Sequence, residues 1–319
     1  MRGLLPDRGS RAAAAGIGGE KGGAAVSTKQ DRHTHAQSHA HAHAADELVV
    51  HFHGVRGTIA CPGGEYIRYG GNTSCLEIRC GPHLIILDAG TGLRPLGVEL
   101  TQNGKLDCDL LLSHTHLDHI AGLPFFVPLF MKGNKVQLWA GHLAGHDETL
   151  KQVIKRMMSA PLFPIPVEAL SAEIGFREFR AGDTWELKPG VVLKTAPLNH
   201  PNGATGYRIE YAGRSVCYVT DTEHVEGEID KNILGLIEGT DVFIYDSTYT
   251  AEEYPRYRGW GHSTWQEGVR LADAGKVKLF VVFHHAPEHD DDTMDEIAAA
   301  VRRARPASTI AHEGMIIKP

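Results

Sequence analysis

The stretch Ser113-His114-Thr115-His116-Leu117-Asp118-His119, directly after the apolar run Leu110-Leu111-Leu112, constrains this chain more than any other segment. Three imidazoles and one carboxylate fall within six residues. Neutral imidazole and carboxylate oxygen are the ligands that zinc, manganese and iron(II) accept. On extended backbone, residues two apart point the same way, so His114 and His116 are placed to grip one ion. Asp118 and His119 then turn toward a second ion beside it. A solvated histidine-rich loop does not explain four ligand-type side chains at the end of a buried strand. The expectation is a dinuclear metal site.

Composition bounds what surrounds that site. The chain has 319 residues, of which 22% are charged and 42% hydrophobic, as in soluble globular domains. A formal charge of −7 argues against stable binding to a nucleic-acid backbone, which favours basic proteins. The five cysteines, Cys61, Cys75, Cys80, Cys108 and Cys217, are odd in number and lack a C-x-x-C pair. Reduced thiols in a cytoplasmic protein are therefore expected. There is no run of eighteen apolar residues, so no membrane span is expected, and the N-terminus lacks the apolar segment of a signal peptide. Residues 1–46 are rich in Gly, Ala and Ser and carry His33, His35, His39, His41 and His43. They read as a disordered extension with no catalytic role, leaving residues 47–319 as one hydrolase domain.

Within that domain, strands are expected over 48–55, 136–140, 191–196, 205–211, 215–219, 242–245 and 277–283. A hairpin is expected over 74–87, turning at Cys80-Gly81-Pro82. Asp88-Ala89-Gly90-Thr91-Gly92 follows as a tight turn, and 109–112 leads into the histidine motif. Helical spacing marks 147–158, 229–237 and 293–304, and Ser263-Thr264-Trp265-Gln266 resembles a capping box opening a helix to about 274. Residues 120–130 read as a short helix kinked by Pro124 and Pro128. The stretch 160–179 yields no pattern.

His114-Thr115-His116-Leu117-Asp118-His119 resembles the signature of the metallo-β-lactamase superfamily, and the resemblance runs from about residue 48 to the C-terminus. It implies an α/β fold, a four-layer αββα sandwich with the metals at one edge of its two sheets. Three later residues, each after an apolar segment, match the same pattern: His200, Asp221 and His284. By that resemblance His114, His116 and His200 hold one metal, Asp118, His119 and His284 hold another, and Asp221 bridges them. His285 is the alternative to His284. Asp88 either orients a ligand histidine or serves only as a turn residue. The ions implied are two divalent metals, zinc first, with manganese or iron(II) as alternatives.

Gly261-His262-Ser263-Thr264 resembles the His-Ser-Thr motif of the ribonuclease Z and phosphodiesterase branch, where this histidine assists the leaving oxygen. Asp246, after the run Val242-Phe243-Ile244-Tyr245, stands where that branch has the partner acid. A carboxylate of this kind fixes the tautomer of an imidazole and keeps it protonated. The tRNA-processing members carry a long arm between the third histidine and the bridging Asp, whereas about twenty residues separate His200 from Asp221 here. The openings Gly54-Val55-Arg56-Gly57-Thr58-Ile59 and Tyr69-Gly70-Gly71-Asn72-Thr73-Ser74-Cys75, and the closing Ala311-His312-Glu313-Gly314-Met315, also resemble the smaller phosphodiesterases. In that branch the closing segment is a final strand near the site mouth. Arg56 is expected either to meet a substrate phosphate or to form a surface salt bridge.

The activity this resemblance implies is metal-dependent hydrolysis of a small phosphodiester, of the cyclic-phosphate or cyclic-nucleotide type. Asp118, His262 and Asp246 form the catalytic set. A paired-metal site acidifies a bound water and clamps the oxygens of the reacting centre. A carbonyl-ester, lactone or thioester hydrolase on the same centre is the alternative enzyme, and a non-catalytic metal-dependent ligand-binding module is the alternative outside enzymes. A small-molecule substrate is expected, and the oligomeric state is open, with a homodimer suggested by the resemblance because that branch is commonly dimeric.

Overall fold

Short apolar runs that must be covered on both faces dictate the centre of this protein. Segments such as Leu110-Leu111-Leu112 and Val281-Val282-Phe283 are too short for helices and lack a polar face, which suits strands sandwiched between two layers. The computed structural model describes residues 46–319. Residues 1–45 of the expected extension lie outside the described residues.

In chain order the strands are β1 Leu48–Gly54, β2 Cys75–Cys80, β3 His83–Leu87, β4 Asp107–Leu112, β5 Lys135–Ala140, β6 Glu173–Glu178 and β7 Thr184–Lys188. They continue as β8 Val191–Leu198, β9 Ala204–Tyr211, β10 Arg214–Val219, β11 Val242–Asp246, β12 Leu279–Phe283, β13 Ser308–Ile310 and β14 Ile316–Ile317. The helices are α1 Leu93–Leu100, α2 Leu117–Ile120, α3 Leu150–Met157, α4 Lys231–Ile237, α5 Trp265–Ala274 and α6 Asp291–Ala304. The first sheet runs β14-β1-β2-β3-β4-β5-β6 and the second β13-β12-β11-β10-β9-β8-β7. Each sheet is half antiparallel and half parallel: β3 to β6 are parallel neighbours in the first, β10 to β13 in the second.

Side-chain alternation along the strands builds three apolar layers. Val50, Phe52, Ile85, Leu111, Tyr218, Ile244 and Phe283 meet between the sheets. Leu110 and Leu112 face the other way, onto Leu93 and Leu96 of α1 and Ile154 of α3. On the second sheet Phe243, Tyr245 and Val282 pack against Ile237 of α4, Leu271 of α5 and Ile297 of α6. The result is the αββα sandwich.

Several local expectations are corrected. Residues 120–130 form no continuous helix. α2 is followed by two 3₁₀ turns, Leu123–Phe125 and Val127–Phe130, because each proline removes a donor and clashes with the preceding turn. The cap of α5 is Thr264, whose hydroxyl accepts from the Glu267 amide at 3.2 Å, since Ser263 is occupied by the Tyr245 hydroxyl. Residues 311–315 turn between β13 and β14 instead of forming a strand, with Gly314 at φ 79°. α1 was hidden by Pro95 and Gly97. Pro95 sits in its first turn, where the missing amide has no intrahelical partner to lose.

Among the described residues no helix is long and apolar enough to cross a membrane, and all five cysteines are free and buried. Ile244→Ala, which opens a cavity between the sheets, is expected to lower the unfolding free energy by about 2–5 kcal/mol, measured by urea denaturation.

Candidate metal centre

The residues of the site leave the sheets at one end. Asp88 follows β3, Ser113 and the histidine motif follow β4, Asp221 lies just past β10, Asp246 ends β11 and His284 follows β12. His200 follows β8 from the neighbouring part of the second sheet. Loops at strand ends carry chemistry because the sheets below them are rigid. Asp88, Asp221 and His284 leave their strands in left-handed backbone, at φ 60°, 54° and 63°. That conformation costs a non-glycine residue about 1–2 kcal/mol; Asp221 and His284 reach one donor group, and Asp88 reaches the Nδ1 of His119 behind it.

Two donor groups meet there. The ligand atoms of His114, His116 and His200 lie within 4.8 Å of one another, and so do those of Asp118, His119, Asp221 and His284. His200 Nε2 is 3.1 Å from His116 Nδ1. His119 Nε2 is 3.2 Å from Asp118 Oδ2 and 3.1 Å from Asp221 Oδ1, and His284 Nε2 is 3.2 Å from Asp221 Oδ1. Asp221 spans the two groups. Its Oδ1 faces His119 and His284, while its Oδ2 lies 3.6 Å from His114 Nε2 and from His200 Nε2. The structure thus brings together all seven residues named as metal ligands.

The donor set fits divalent metal. Two ligand atoms each about 2.0–2.1 Å from a tetrahedral ion lie about 3.4 Å apart, within the spread observed here. The Nε2 atoms of His114, His119 and His284 are buried with no hydrogen-bond partner among the described residues, a loss of about 1–3 kcal/mol each if nothing binds them. Burial holds His114, His116 and His200 below the ordinary imidazole pKa, in the neutral form that binds metal. Burial would raise Asp221, but the surrounding imidazoles, His119 foremost, hold it well below the carboxylate range.

A surrounding set of partners fixes which nitrogen each imidazole presents. Asp88 resolves as more than a turn residue: its Oδ2 accepts from His119 Nδ1 at 2.8 Å, leaving Nε2 for metal. Thr248 Oγ1 meets His284 Nδ1 at 2.9 Å, and the Gly261 carbonyl accepts from His200 Nδ1 at 2.8 Å. The Thr58 amide donates to Asp118 Oδ2 at 2.8 Å. Sequence reasoning missed Thr248, Thr58 and the Gly261 carbonyl, since a hydroxyl or a backbone group carries no signature. Two glycines are sterically required: a Cβ at Gly57 would enter the His284 ring, and one at Gly261 would enter the His200 ring.

His262 lies beside both donor groups, its ring centroid 5.4 Å from that of His200 and 5.0 Å from that of His284. Its Nδ1 is 3.0 Å from Asp246 Oδ2. Burial lowers the His262 pKa, but the charge and hydrogen bond of Asp246 outweigh it and bring it to about 9. His285 stays outside both groups, with Nε2 bonded to the Ala311 carbonyl at 2.8 Å.

Arg56 is corrected. It neither faces the site nor forms a surface salt bridge. Its side chain is fully buried and donates to the carbonyls of Gly70 at 2.8 Å, Ala286 at 3.0 Å and His289 at 2.6 Å. It ties the loop after β1 to the loop that follows His284.

Two outcomes follow from this geometry. Asp88→Asn would force the His119 proton from Nδ1 to Nε2, and is expected to weaken metal binding by about 10–100-fold, measured by metal titration. Arg56→Met leaves three buried carbonyls without their donor. It is expected to lower the unfolding free energy by about 3 kcal/mol or more in chemical denaturation. Unchanged stability with a raised KM would return Arg56 to substrate binding.

Comparison with known proteins identifies the family. The model of the Beta-lactamase superfamily domain matches residues 83–285. Ribonuclease BN of Salmonella typhimurium is 24% identical over 274 residues, covering 73% of this chain and 88% of that protein. Among solved structures, the metallo-beta-lactamase fold protein YhfI from Bacillus subtilis superposes with a TM-score of 0.63 at 16% identity, covering 86% of this chain and 100% of that one. A diphosphatase from the PhnP family gives 0.60 at 18% identity, covering 85% and 97%. At these identities the solved structures speak for the fold alone. The chain belongs to the metallo-β-lactamase superfamily.

Proposed function

We propose that this protein is a phosphodiesterase that uses two divalent ions, zinc first, to hydrolyse a small phosphodiester of the cyclic-phosphate or cyclic-nucleotide type. The observation that carries the reading is His262. A buried carboxylate holds its Nδ1 at 3.0 Å, while its ring adjoins a histidine from each donor group. With Nδ1–H committed to Asp246, Nε2 is the atom that can deliver a proton to a leaving oxygen. Alkoxide leaving groups need that proton.

Bound at the two donor groups, the ions would supply an acidified water and neutralise charge on the phosphoryl oxygens. The chain's own part is to orient and protonate. Asp118 is held by the Thr58 amide, and Asp246 holds His262 directly and reaches His284 through the Thr248 hydroxyl.

Substrate size and type rest on two further features. The chain between His200 and Asp221 is occupied by the β9–β10 hairpin, which leaves no room at that place for the long arm of the tRNA-processing members and favours a small substrate. Trp260, 62% exposed, stands next to the Gly261 carbonyl that orients His200. Its ring offers a flat face for a nucleobase.

The test is hydrolysis of bis(p-nitrophenyl) phosphate and of cyclic nucleotides by metal-reconstituted protein. Asp118→Ala is expected to abolish both activities with the fold retained. His262→Ala should lower kcat by about 10²–10⁴-fold on substrates with alkoxide leaving groups, and far less on p-nitrophenolate esters, whose leaving group needs no proton. Wild-type turnover of thioesters or lactones that survives loss of His262, without phosphodiester cleavage, would overturn the proposal.

A further inference from the structure

A second set of metal-type donors sits away from the catalytic centre, on the outer face of the first sheet. Val50 and Phe52 of β1 point into the layer between the sheets, so the alternate residues His51 and His53 project from the opposite face. On β2, Glu77 is the direct cross-strand partner of His51. The ligand atoms of these three residues converge within 4.8 Å of one another. His53 Nε2 is 3.1 Å from Glu77 Oε2, and His51 Nδ1 is 3.6 Å from the same oxygen.

The catalytic centre supplies the yardstick. Its donor pairs are separated by 3.1 to 3.6 Å, as in His119 to Asp221 Oδ1 and His114 to Asp221 Oδ2, and the outer trio falls in the same range. The 3.6 Å contact from His51 is an ion-pair distance, longer than an ordinary hydrogen bond. The two carboxylate oxygens of Glu77 also have separate duties. Oε1 accepts from Arg79 Nε at 2.6 Å, which fixes the carboxylate plane and leaves Oε2 to the imidazoles. His53 is 7% exposed and the His51 side chain 26%, giving a site closed beneath and open on one side.

We propose that His51, His53 and Glu77 form an additional metal site that binds one zinc-type divalent ion and clamps β1 to β2, with its fourth position open to solvent. Two imidazoles and one carboxylate are a ligand set that zinc accepts with a water completing the tetrahedron. The ion would cross-link the two strands at the pair where they already meet in register.

The experiment compares the full-length wild-type protein with His51→Ala and Glu77→Gln. Each is dialysed against the same zinc-buffered solution, and bound zinc per chain is measured by elemental analysis. The histidines of residues 1–45 are present in all three proteins, so the difference between them isolates the outer site. Both variants are expected to retain one equivalent of zinc fewer than wild type, with turnover of bis(p-nitrophenyl) phosphate unchanged. Equal zinc content in wild type and His51→Ala would overturn the proposal and leave the trio as a hydrogen-bonded ion-pair network. If Glu77→Gln fails to fold, the partly exposed His51 still decides the question.

Discussion

The carboxylate of Asp88 joins the two halves of this molecule to its chemistry. It lies just past β3 of the first sheet, accepts from the amide and hydroxyl of Ser113 just past β4, and accepts from the hydroxyl of Tyr218 on β10 in the second sheet. The same oxygen that takes Tyr218 also takes His119 Nδ1. One fully buried side chain therefore ties together the two sheets, the exit of the histidine motif and the Nδ1 of His119. Such a group is tolerated in an apolar interior only when its lone pairs are filled, and four donors fill them here. Stability and function are coupled at this point because the same hydrogen bonds serve both.

Asp246 has an equivalent place in the second sheet. It ends β11, accepts from the amides of Thr222 and Thr248, and contacts His262 directly and His284 through the Thr248 hydroxyl. Each sheet thus supplies one buried carboxylate that orients a metal-facing imidazole. The left-handed turns at Asp88, Asp221 and His284 belong to the same design: local backbone cost is offset by buried polar contacts and by whatever ion satisfies the three unpartnered Nε2 atoms. Strain of this kind persists where surrounding structure over-determines it.

Much of this was legible in the order of residues, because ligand chemistry and strand alternation are local. The spacing of His114, His116, Asp118 and His119 placed two candidate ligand pairs at a strand end, whereas His200, Asp221 and His284, each after an apolar run, were singled out by the family resemblance. Secondary structure was readable where periodicity was strong, as in Leu150, Val153 and Ile154 of α3. It failed where proline obscured the pattern, as in α1 and residues 120–130, and where an edge strand lies half in solvent, as in β6, whose residues are mostly intermediate or exposed.

By itself, then, the sequence determined the cluster of metal-type donors at His114, His116, Asp118 and His119 and the alternation of short strands with helices, since these follow from side-chain chemistry and short-range repeats, while the αββα layering and the remaining candidate ligands were legible only through the family resemblance. Only the tertiary structure decided which groups serve the ligands. Arg56, read as a phosphate contact or a surface ion, is a buried brace. Thr248, Thr58 and the Gly261 carbonyl, which have no signature, each hold a ligand side chain. The outer trio of His51, His53 and Glu77 exists only because β1 and β2 pair in one register. The reason is physical: a hydrogen bond between residues far apart in the chain depends on how the sheets stack, and no local pattern records that distance.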